Sequence, residues 1–318
     1  MNNSKAGNPT PFGGGSFAHL VSVPLDPRIS ESIGKKGSQN GITFYNRRAG
    51  DDVIVCLSPT SIADKFYAAV QTIMLASQVV VSTENPDQLF GEVVVACAML
   101  GKRMIFTDDN DVAGLLSGVG AVDYAVSSRD ELIKNITQYK GAAVPLAKRV
   151  DLDKAFPVKG LGTVALGIVT GGTLSKHDEL YHSSGKKVLV RSIQSLDVDI
   201  DSAEIGTRVG IALKNIEPDE IASGDLLTEN ECGKASAVTV GVVQSGIAKE
   251  DMVNGNRYIA VSNFSYSNAK VDEVDPAGGK IKLTFERGMT LLDGDRIVLL
   301  RQKAPRAFAV CSVLDRKR

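Results

Sequence analysis

The sequence predicts an α/β domain followed by two small all-β barrels. Up to about residue 148, continuous runs of valine and isoleucine alternate with amphipathic segments, which is typical of a parallel sheet covered by helices on both faces. Beyond Gly141 the helical signals nearly stop, and short strands separated by turn residues follow. These strands are too numerous for one small barrel, so we expect two.

The α/β domain is predicted from alternating elements. Its strands are expected at AHLVSV, DDVIVCLS, QVVVSTEN, KRMIFTDD and DYAVSS, and its helices at SIADKFYAAVQTIMLAS, PDQLFGEVVVACAMLG, NDVAGLLSGVG and RDELIKNITQY. The barrel strands are expected at RVDLDKAFPV, GTVALGIVTGG, KVLVRSIQS, TRVGIALKN, SAVTVGVVQ, NRYIAVSNF, NAKVDEVDP, GKIKLTFER, DRIVLLRQK and RAFAVCSVL. The resulting division is a disordered tail at 1–16, the α/β domain at 17–148, one barrel at 149–231 and another at 232–318.

The composition is that of an ordinary globular chain. With 318 residues, 43% hydrophobic and 23% charged, it is long enough for two or three cores. No apolar stretch approaches the length of a membrane span, and the N-terminus lacks the apolar segment of a signal peptide, so we expect a cytoplasmic protein with no membrane or DNA partner. The four cysteines and three histidines show no ligand spacing, so neither a metal site nor any other cofactor is predicted.

Charge differs between the three predicted segments. Residues 1–148 carry 13 basic and 14 acidic side chains, residues 149–231 carry 9 and 14, and residues 232–318 carry 14 and 9. An RNA-facing surface would therefore include the last segment, because phosphates are bound mainly through lysine and arginine. The alternative is the solvated surface of a modestly basic barrel.

Glycines and turn residues recur at defined places in the first barrel. They include Gly160-Leu161-Gly162-Thr163-Val164, Gly171-Gly172-Thr173, Gly206-Thr207-Arg208-Val209-Gly210 and Gly224-Asp225. In order and spacing they resemble the second domain of elongation factor Tu and other translational GTPases. The SIQSLDVDIDSA stretch looks closest to archaeal factors similar to selenocysteine-specific elongation factor, including pyrrolysine-associated elongation-factor-like proteins.

The resemblance implies an RNA-binding surface on this barrel. In aminoacyl-tRNA-binding members a pocket receives the terminal adenosine and aminoacyl group. Here its wall would run through Gln194 and the segment from Glu204 through Gly206 to Val209, with Arg191 and Arg208 near phosphates. Elongation factor Tu has a glutamate where Gln194 stands, and the neutral amide removes a charge while keeping hydrogen-bonding capacity. Alternatively, Gln194 only faces solvent on a strand.

The phosphate-binding loop of a GTPase is missing. After the strand segment AHLVSVPL the chain reads DPRISESIGKKGSQNG, with no opening glycine and with Asp26 and Glu31 where phosphates would sit. Pro24 and Pro27, on either side of this junction, lack amide hydrogens. Gly34-Lys35-Lys36-Gly37 could still contact phosphate. We expect the residues just before Gly34 to form a further helix, so this sequence follows a helix rather than a strand. We therefore interpret it as a structural loop similar to that leading into the first switch of the pyrrolysine-associated proteins.

The other nucleotide motifs also depart from the family. At the second-switch position, where the family has Asp-x-Pro-Gly-His, the chain has Leu57-Ser58-Pro59-Thr60-Ser61. At the guanine-reading position, where the family has Asn-Lys-x-Asp, it has Asp108-Asp109-Asn110-Asp111. This acidic cluster could bind a metal, but a helix cap and a solvated turn are the simpler interpretation.

Three functions remain open at the level of sequence. The first is an elongation-factor-like protein without GTPase activity, not an enzyme, that binds tRNA, the ribosome or another translation component through its barrels. The second is a regulatory scaffold for protein partners that makes no RNA contact. The third is a GTPase with unconventional phosphate ligands such as Lys35 or Lys36.

Overall fold

The computed structural model describes residues 17–107, 111–119, 122–140, 147–275 and 279–317. The α/β domain contains seven strands in one sheet, in the order β2-β3-β4-β1-β5-β6-β7. Its strands are β1 Ala18–Ser22, β2 Lys35–Asn40, β3 Ile42–Ala49, β4 Asp52–Pro59, β5 Gln78–Ser82, β6 Arg103–Thr107 and β7 Tyr124–Ser127. Its helices are α1 Pro27–Ile33, α2 Phe66–Leu75, α3 Gln88–Met99, α4 Val112–Leu115 and α5 Leu132–Gln138.

The sheet is mixed rather than purely parallel. Strands β4, β1, β5, β6 and β7 pair in parallel, as their apolar runs predict. Strands β2 and β3 form a hairpin that continues the sheet antiparallel to β4. The expected loop at Gly34–Gly37 is therefore wrong in part, because Lys35 begins an edge strand. The residues from Lys35 to Asn40 are too polar to show the periodicity of a half-buried strand.

Helices cover both faces of this sheet. Phe66, Val70 and Ile73 of α2 pack with Phe90 and other residues of α3 on one face. On the opposite face, a second cluster joins α1 and α5 to the sheet through Ile29, Ile33, Leu132, Ile136 and Tyr45. Within the part of the chain that the structure describes, no helix is both long and apolar enough to cross a membrane.

The first barrel is a sheet that closes on itself. Its strands follow in the order β11-β16-β8-β9-β15-β12-β13, and β11 also pairs with β12. A separate pair of short strands lies beside it. The strands are β8 Arg149–Val158, β9 Gly162–Gly171, β10 Leu174–Ser175, β11 Glu179–His182, β12 Lys187–Ser195, β13 Val198–Ile200, β14 Ser202–Ala203, β15 Arg208–Lys214 and β16 Leu226–Thr228, with a 3-10 turn at Pro218–Glu220.

The second barrel is closed by six antiparallel strands in the order β17-β20-β19-β18-β21-β22. They are β17 Lys234–Gln244, β18 Arg257–Ser262, β19 Ser265–Val274, β20 Lys280–Thr290, β21 Arg296–Leu300 and β22 Ala307–Lys317. The predicted fold class, an α/β domain followed by two β-barrels, is confirmed. The division after residues 148 and 231 stays a prediction, and the expected tail at 1–16 lies outside the described residues.

Candidate functional site

The head of α1 is where a phosphate-binding GTPase would present free backbone amides. Here the N-cap residue Asp26 accepts a hydrogen bond from the Arg28 amide through Oδ1 at 2.9 Å. The Ile29 amide donates to the Asp26 carbonyl at 3.1 Å. Pro27, at the first helical position, has no amide hydrogen. The backbone amides of the first helical turn are therefore either absent, at Pro27, or already hydrogen-bonded to Asp26.

A charged cluster occupies the space in front of this helix. The Arg28 guanidinium donates to both carboxylate oxygens of Asp26, at 3.0 and 2.9 Å, and to Glu84 Oε2 at 2.6 Å. The Arg129 guanidinium lies 3.5 Å from the Glu84 carboxylate. Burial opposes ionisation of Asp26, but the hydrogen bonds and charge of Arg28 outweigh it and hold the pKa of Asp26 below its ordinary value.

The pocket that remains beside this cluster is small and acidic. Its volume is about 210 Å³, below the several hundred Å³ typical of a small-molecule site. Asp26, Glu84 and Asp87 line it, with Arg28 as the cationic member. A triphosphate would therefore meet three carboxylates and a guanidinium that is already bound to two of them.

Lys35 and Lys36 lie at the wrong end of α1 to replace a phosphate-binding lysine. The helix runs from Pro27 to Ile33, and both lysines follow it on β2. At about 1.5 Å of rise per residue, the helix puts them on the order of 10 Å from its head. The edge-strand position of these lysines therefore disfavours the alternative in which they bind the phosphates of GTP.

The second-switch positions take part in ordinary structural contacts. Leu57 is buried in β4, and its carbonyl accepts a hydrogen bond from the Val23 amide at 2.8 Å. The Thr60 amide donates to the Gly41 carbonyl at 2.9 Å. The Ser61 hydroxyl donates to the Asp64 carboxylate at 3.0 Å. These contacts fix the end of β4 and the chain that follows it.

At the guanine-reading position only Asp111 belongs to the described residues, and Asp108 and Asp109 lie outside them. Asp111 is the N-cap of α4, where its carboxylate accepts a hydrogen bond from the Gly114 amide at 2.9 Å. This is the contact expected of a helix cap.

Replacing Asp26 by alanine is expected to destabilise the chain by about 0.5 to 2 kcal/mol, the range for losing an N-cap. Asp26→Asn should lower the free energy of unfolding by less than Asp26→Ala does. Asparagine caps a helix nearly as well as aspartate, so this variant loses only the charge that pairs with Arg28. The pKa of Asp26 is lower in the folded chain than its ordinary value. The stability that comes from its charge is therefore fully present above the ordinary pKa and is lost as pH falls through the pKa of the folded state. Thermal midpoints at neutral and acidic pH measure this, and a penalty for Asp26→Ala that does not shrink in acid would contradict it.

Three of the expected RNA-contacting residues lie on the surface of the first barrel. The Arg191 guanidinium donates to the Leu161 carbonyl at 3.0 Å. The Gln194 amide donates to the Asp199 carboxylate at 2.8 Å across the β12–β13 hairpin. The Glu204 carboxylate accepts from the Thr173 hydroxyl at 2.9 Å. All three side chains are exposed and could reach a partner.

The other two lie where the barrel meets the α/β domain. Arg208 donates to Asp153 at 2.6 Å and to Ser38 of β2 at 3.2 Å, and its guanidinium lies 3.7 Å from the centre of the Phe44 ring. Gly206 has a φ of +88°, and an added Cβ would lie 2.8 Å from the Ala18 carbonyl oxygen. Neither fits the expected contact with a partner, because the α/β domain covers both.

Sequence reasoning missed the ion pairs that join the domains. Glu92 of α3 accepts from the Arg306 amide at 2.6 Å and from its guanidinium at 2.9 and 2.5 Å. Arg149 of the first barrel donates to Asp151 at 2.9 and 3.1 Å and to Asp295 of the second barrel at 2.5 Å. Glu92 and Arg306 are 214 residues apart in sequence, and Arg149 and Asp295 are 146 apart, so no local pattern could have indicated these two pairs.

Comparison with known proteins shows which proteins the chain resembles. Residues 162–228 match the family described as elongation factor Tu domain 2. Over 301 residues the chain is 27% identical to the uncharacterized protein MJ0325 of Methanocaldococcus jannaschii, covering 90% of this chain and 94% of that protein. It is 36% identical over 84 residues to the selenocysteine-specific elongation factor of the same organism, which is 26% of this chain and 18% of the factor.

Solved structures show the same fold over nearly the whole chain. The translation elongation factor SelB of Methanococcus maripaludis, in complex with the GTP analogue GppNHp, superposes with a TM-score of 0.79 at 18% identity, covering 96% of this chain and 80% of that one. A bacterial selenocysteine-specific elongation factor gives a TM-score of 0.76 at 17% identity, covering 94% and 59%. The resemblance to translational GTPases, of the selenocysteine-specific kind, is confirmed, while the pyrrolysine-associated subgroup stays a prediction.

Proposed function

We propose that this chain is an elongation-factor-like translation protein that neither binds nor hydrolyses GTP and that contacts tRNA or the ribosome directly. The observation that carries the proposal is the head of α1, where the Asp26 carboxylate and its partner Arg28 use the groups that would hold phosphates. The protein would then be a binding protein rather than an enzyme, with no cofactor. We also propose the domain boundaries given above and a cytoplasmic location.

The binding free energy of the missing phosphate contacts supports the proposal. Each hydrogen bond to a charged phosphate is worth about 1.5 to 3 kcal/mol. The chain lacks the phosphate-binding lysine, the amide cradle and the magnesium-linked aspartate at the positions where the family has them. Together these losses remove most of the affinity of a micromolar nucleotide site, which is about 8 kcal/mol in total.

Exposed residues of the two barrels would make the contacts. On the first barrel we propose Arg191 and Gln194, with Glu204 beside them, and we no longer include Gly206 and Arg208 because the α/β domain covers them. On the second barrel the excess of 14 basic over 9 acidic residues from 232 to 318 favours phosphate binding. The three residues of the first barrel are exposed without any movement of the domains.

Filter binding with total tRNA and with aminoacyl-tRNA tests this function. We expect binding that weakens steeply as salt rises, because phosphate contacts release counterions. Addition of GTP and magnesium should leave the dissociation constant unchanged. The same measurement with ribosomes tests the other proposed partner, the ribosome. Absence of salt-sensitive binding to every RNA and to ribosomes would exclude the proposed function.

A protein partner is the second candidate, and one observation favours it. Between Asp197 and Glu204 the first barrel exposes four carboxylates, and none of them forms an ion pair with a described lysine or arginine. An acidic rim of this kind repels phosphate and attracts basic protein segments. Partners that stay bound after ribonuclease treatment would support this candidate over the RNA-binding one.

A further inference from the structure

The β2–β3 hairpin at the edge of the α/β domain is strongly basic. From Gly34 to Ala49 it carries four cations and no acidic residue. All four side chains are exposed, and none forms an ion pair with a carboxylate among the described residues. They are Lys35, Lys36, Arg47 and Arg48. This charge contrasts with the balanced or acidic character of the α/β domain and the first barrel around it.

The four cations are presented on both faces of the hairpin. Lys35 pairs with Asn46 and Lys36 with Tyr45, so the two lysines point to opposite sides. By alternation Arg48 shares the face of Lys35, with their Cα atoms about 8 Å apart, and Arg47 shares the face of Lys36. Because β2 is the outermost strand, an approaching partner can reach cations on both sides of the sheet edge.

The hairpin is anchored through its inner strand β3, which lowers the entropic cost of using it for binding. Phe44 and Tyr45 of β3 are buried in two different clusters on its two faces. A Cβ added to Gly34, the residue before β2, would lie 2.7 Å from the Asn46 carbonyl oxygen, so the chain lies closely against β3 where it enters β2. The Arg47 guanidinium lies 3.4 Å from the Ser32 and Ile33 carbonyl oxygens at the end of α1.

We propose that this hairpin is an RNA-contacting surface of the α/β domain, which binds the phosphate backbone through Lys35, Lys36 and Arg48. The inference rests on the proposed RNA-binding function and adds a third contact to those of the barrels. The charges meet phosphates, and the neighbouring polar side chains of Gln39 and Asn40 can hydrogen-bond sugar or phosphate oxygens.

The composition of the surface favours RNA over a membrane. No large apolar side chain is exposed between Gly34 and Ala49, and stable attachment to a membrane needs apolar groups besides charge. Lysines on an edge strand can also serve only to prevent pairing with another sheet. That role would explain Lys35 and Lys36, but it does not explain Arg48, which lies on the inner strand β3.

Filter binding with total tRNA tests the hairpin. The variant Lys35→Gln/Lys36→Gln/Arg48→Gln keeps Arg47, whose guanidinium faces the end of α1. A matched control, Lys65→Gln/Lys134→Gln/Lys214→Gln, removes the same charge from three exposed and separate places. At about 0.1 M salt we expect the dissociation constant to rise roughly tenfold or more for the hairpin variant, with the salt slope reduced by about 2 to 3, and less than about threefold for the control.

Each other outcome overturns the inference in a different way. If the wild-type chain binds tRNA and the hairpin variant binds it equally well, the cations only protect the sheet edge and the barrels alone bind RNA. If both variants weaken equally, net charge rather than this surface is responsible. If vesicles of anionic lipid bind the wild type and the hairpin variant releases them while tRNA does not bind, the partner is a membrane. Failure of the wild type to bind tRNA or ribosomes would instead remove the proposed function itself.

Discussion

Replacing Asp153 by alanine is expected to destabilise the chain by about 3 to 5 kcal/mol, because it leaves the Arg208 guanidinium buried without a counter-charge. The side chains of Asp153 and Arg208 are only 3% and 10% exposed, and 2.6 Å separates their charged atoms. Burial lowers the pKa of Arg208, while the charge of Asp153 opposes that shift. Arginine nonetheless stays protonated, so the charge cannot be removed by titration.

The thermal midpoint measures this effect, and on the order of 10 °C should be lost. Arg191→Ala is the control, since Arg191 is an exposed arginine of the same barrel, and its midpoint should change by no more than about 1 to 2 °C. A second variant, Asp153→Leu/Arg208→Met, should recover most of the loss, because replacing both members of a buried pair with apolar residues is often neutral. Equal midpoints for Asp153→Ala and Arg191→Ala would show that Arg208 is not buried in solution.

Replacing Glu92 by alanine is expected to cost about 3 kcal/mol and to loosen the α/β domain from the second barrel. Glu92 is 4% exposed and accepts three hydrogen bonds from Arg306, one from its amide and two from its guanidinium. The guanidinium also lies 4.3 Å from the centre of the Phe66 ring of α2. Arg306 is 19% exposed, so water can partly replace the lost carboxylate, which places the effect near the lower end of the range for buried pairs.

Thermal unfolding and limited proteolysis measure this second effect. Glu250→Ala removes the exposed partner of Arg301 in the same barrel and should cost less than about 1 kcal/mol. Faster cleavage between the domains is expected for Glu92→Ala and not for Glu250→Ala. If the two variants are cleaved at the same rate, the Glu92–Arg306 pair does not hold the domains together.

Much of the fold could be predicted because the periodicities are strong. The strands β1, β4, β5 and β6 are nearly continuous apolar runs, and the ten expected barrel strands are all present. The hairpin strand β2 could not be predicted, because its residues Lys35–Asn40 are polar or glycine and lie at an edge where no apolar face is needed.

The candidate site could be predicted only where it depends on residues that are adjacent in the sequence. Asp26 followed by Pro27 is a helix-start signal that can be read from two residues, and it places a carboxylate where phosphate would bind. The burial of Arg208 could not be predicted, because it depends on Ser38 and Phe44, which belong to a different domain. Arginine on a barrel strand is normally exposed, and only the packing of the α/β domain against the barrel changes that.

Calorimetric titration with GTP and magnesium, together with the nucleotide content of the purified chain, tests most directly whether the head of α1 has lost phosphate binding. The Asp26 carboxylate, with Arg28 and Glu84 around it, predicts no bound guanosine nucleotide and no measurable heat of binding at concentrations up to about 1 mM, where the binding free energy would be only about −4 kcal/mol. Nucleotide that copurifies with the chain, or a dissociation constant in the micromolar range, would contradict the account.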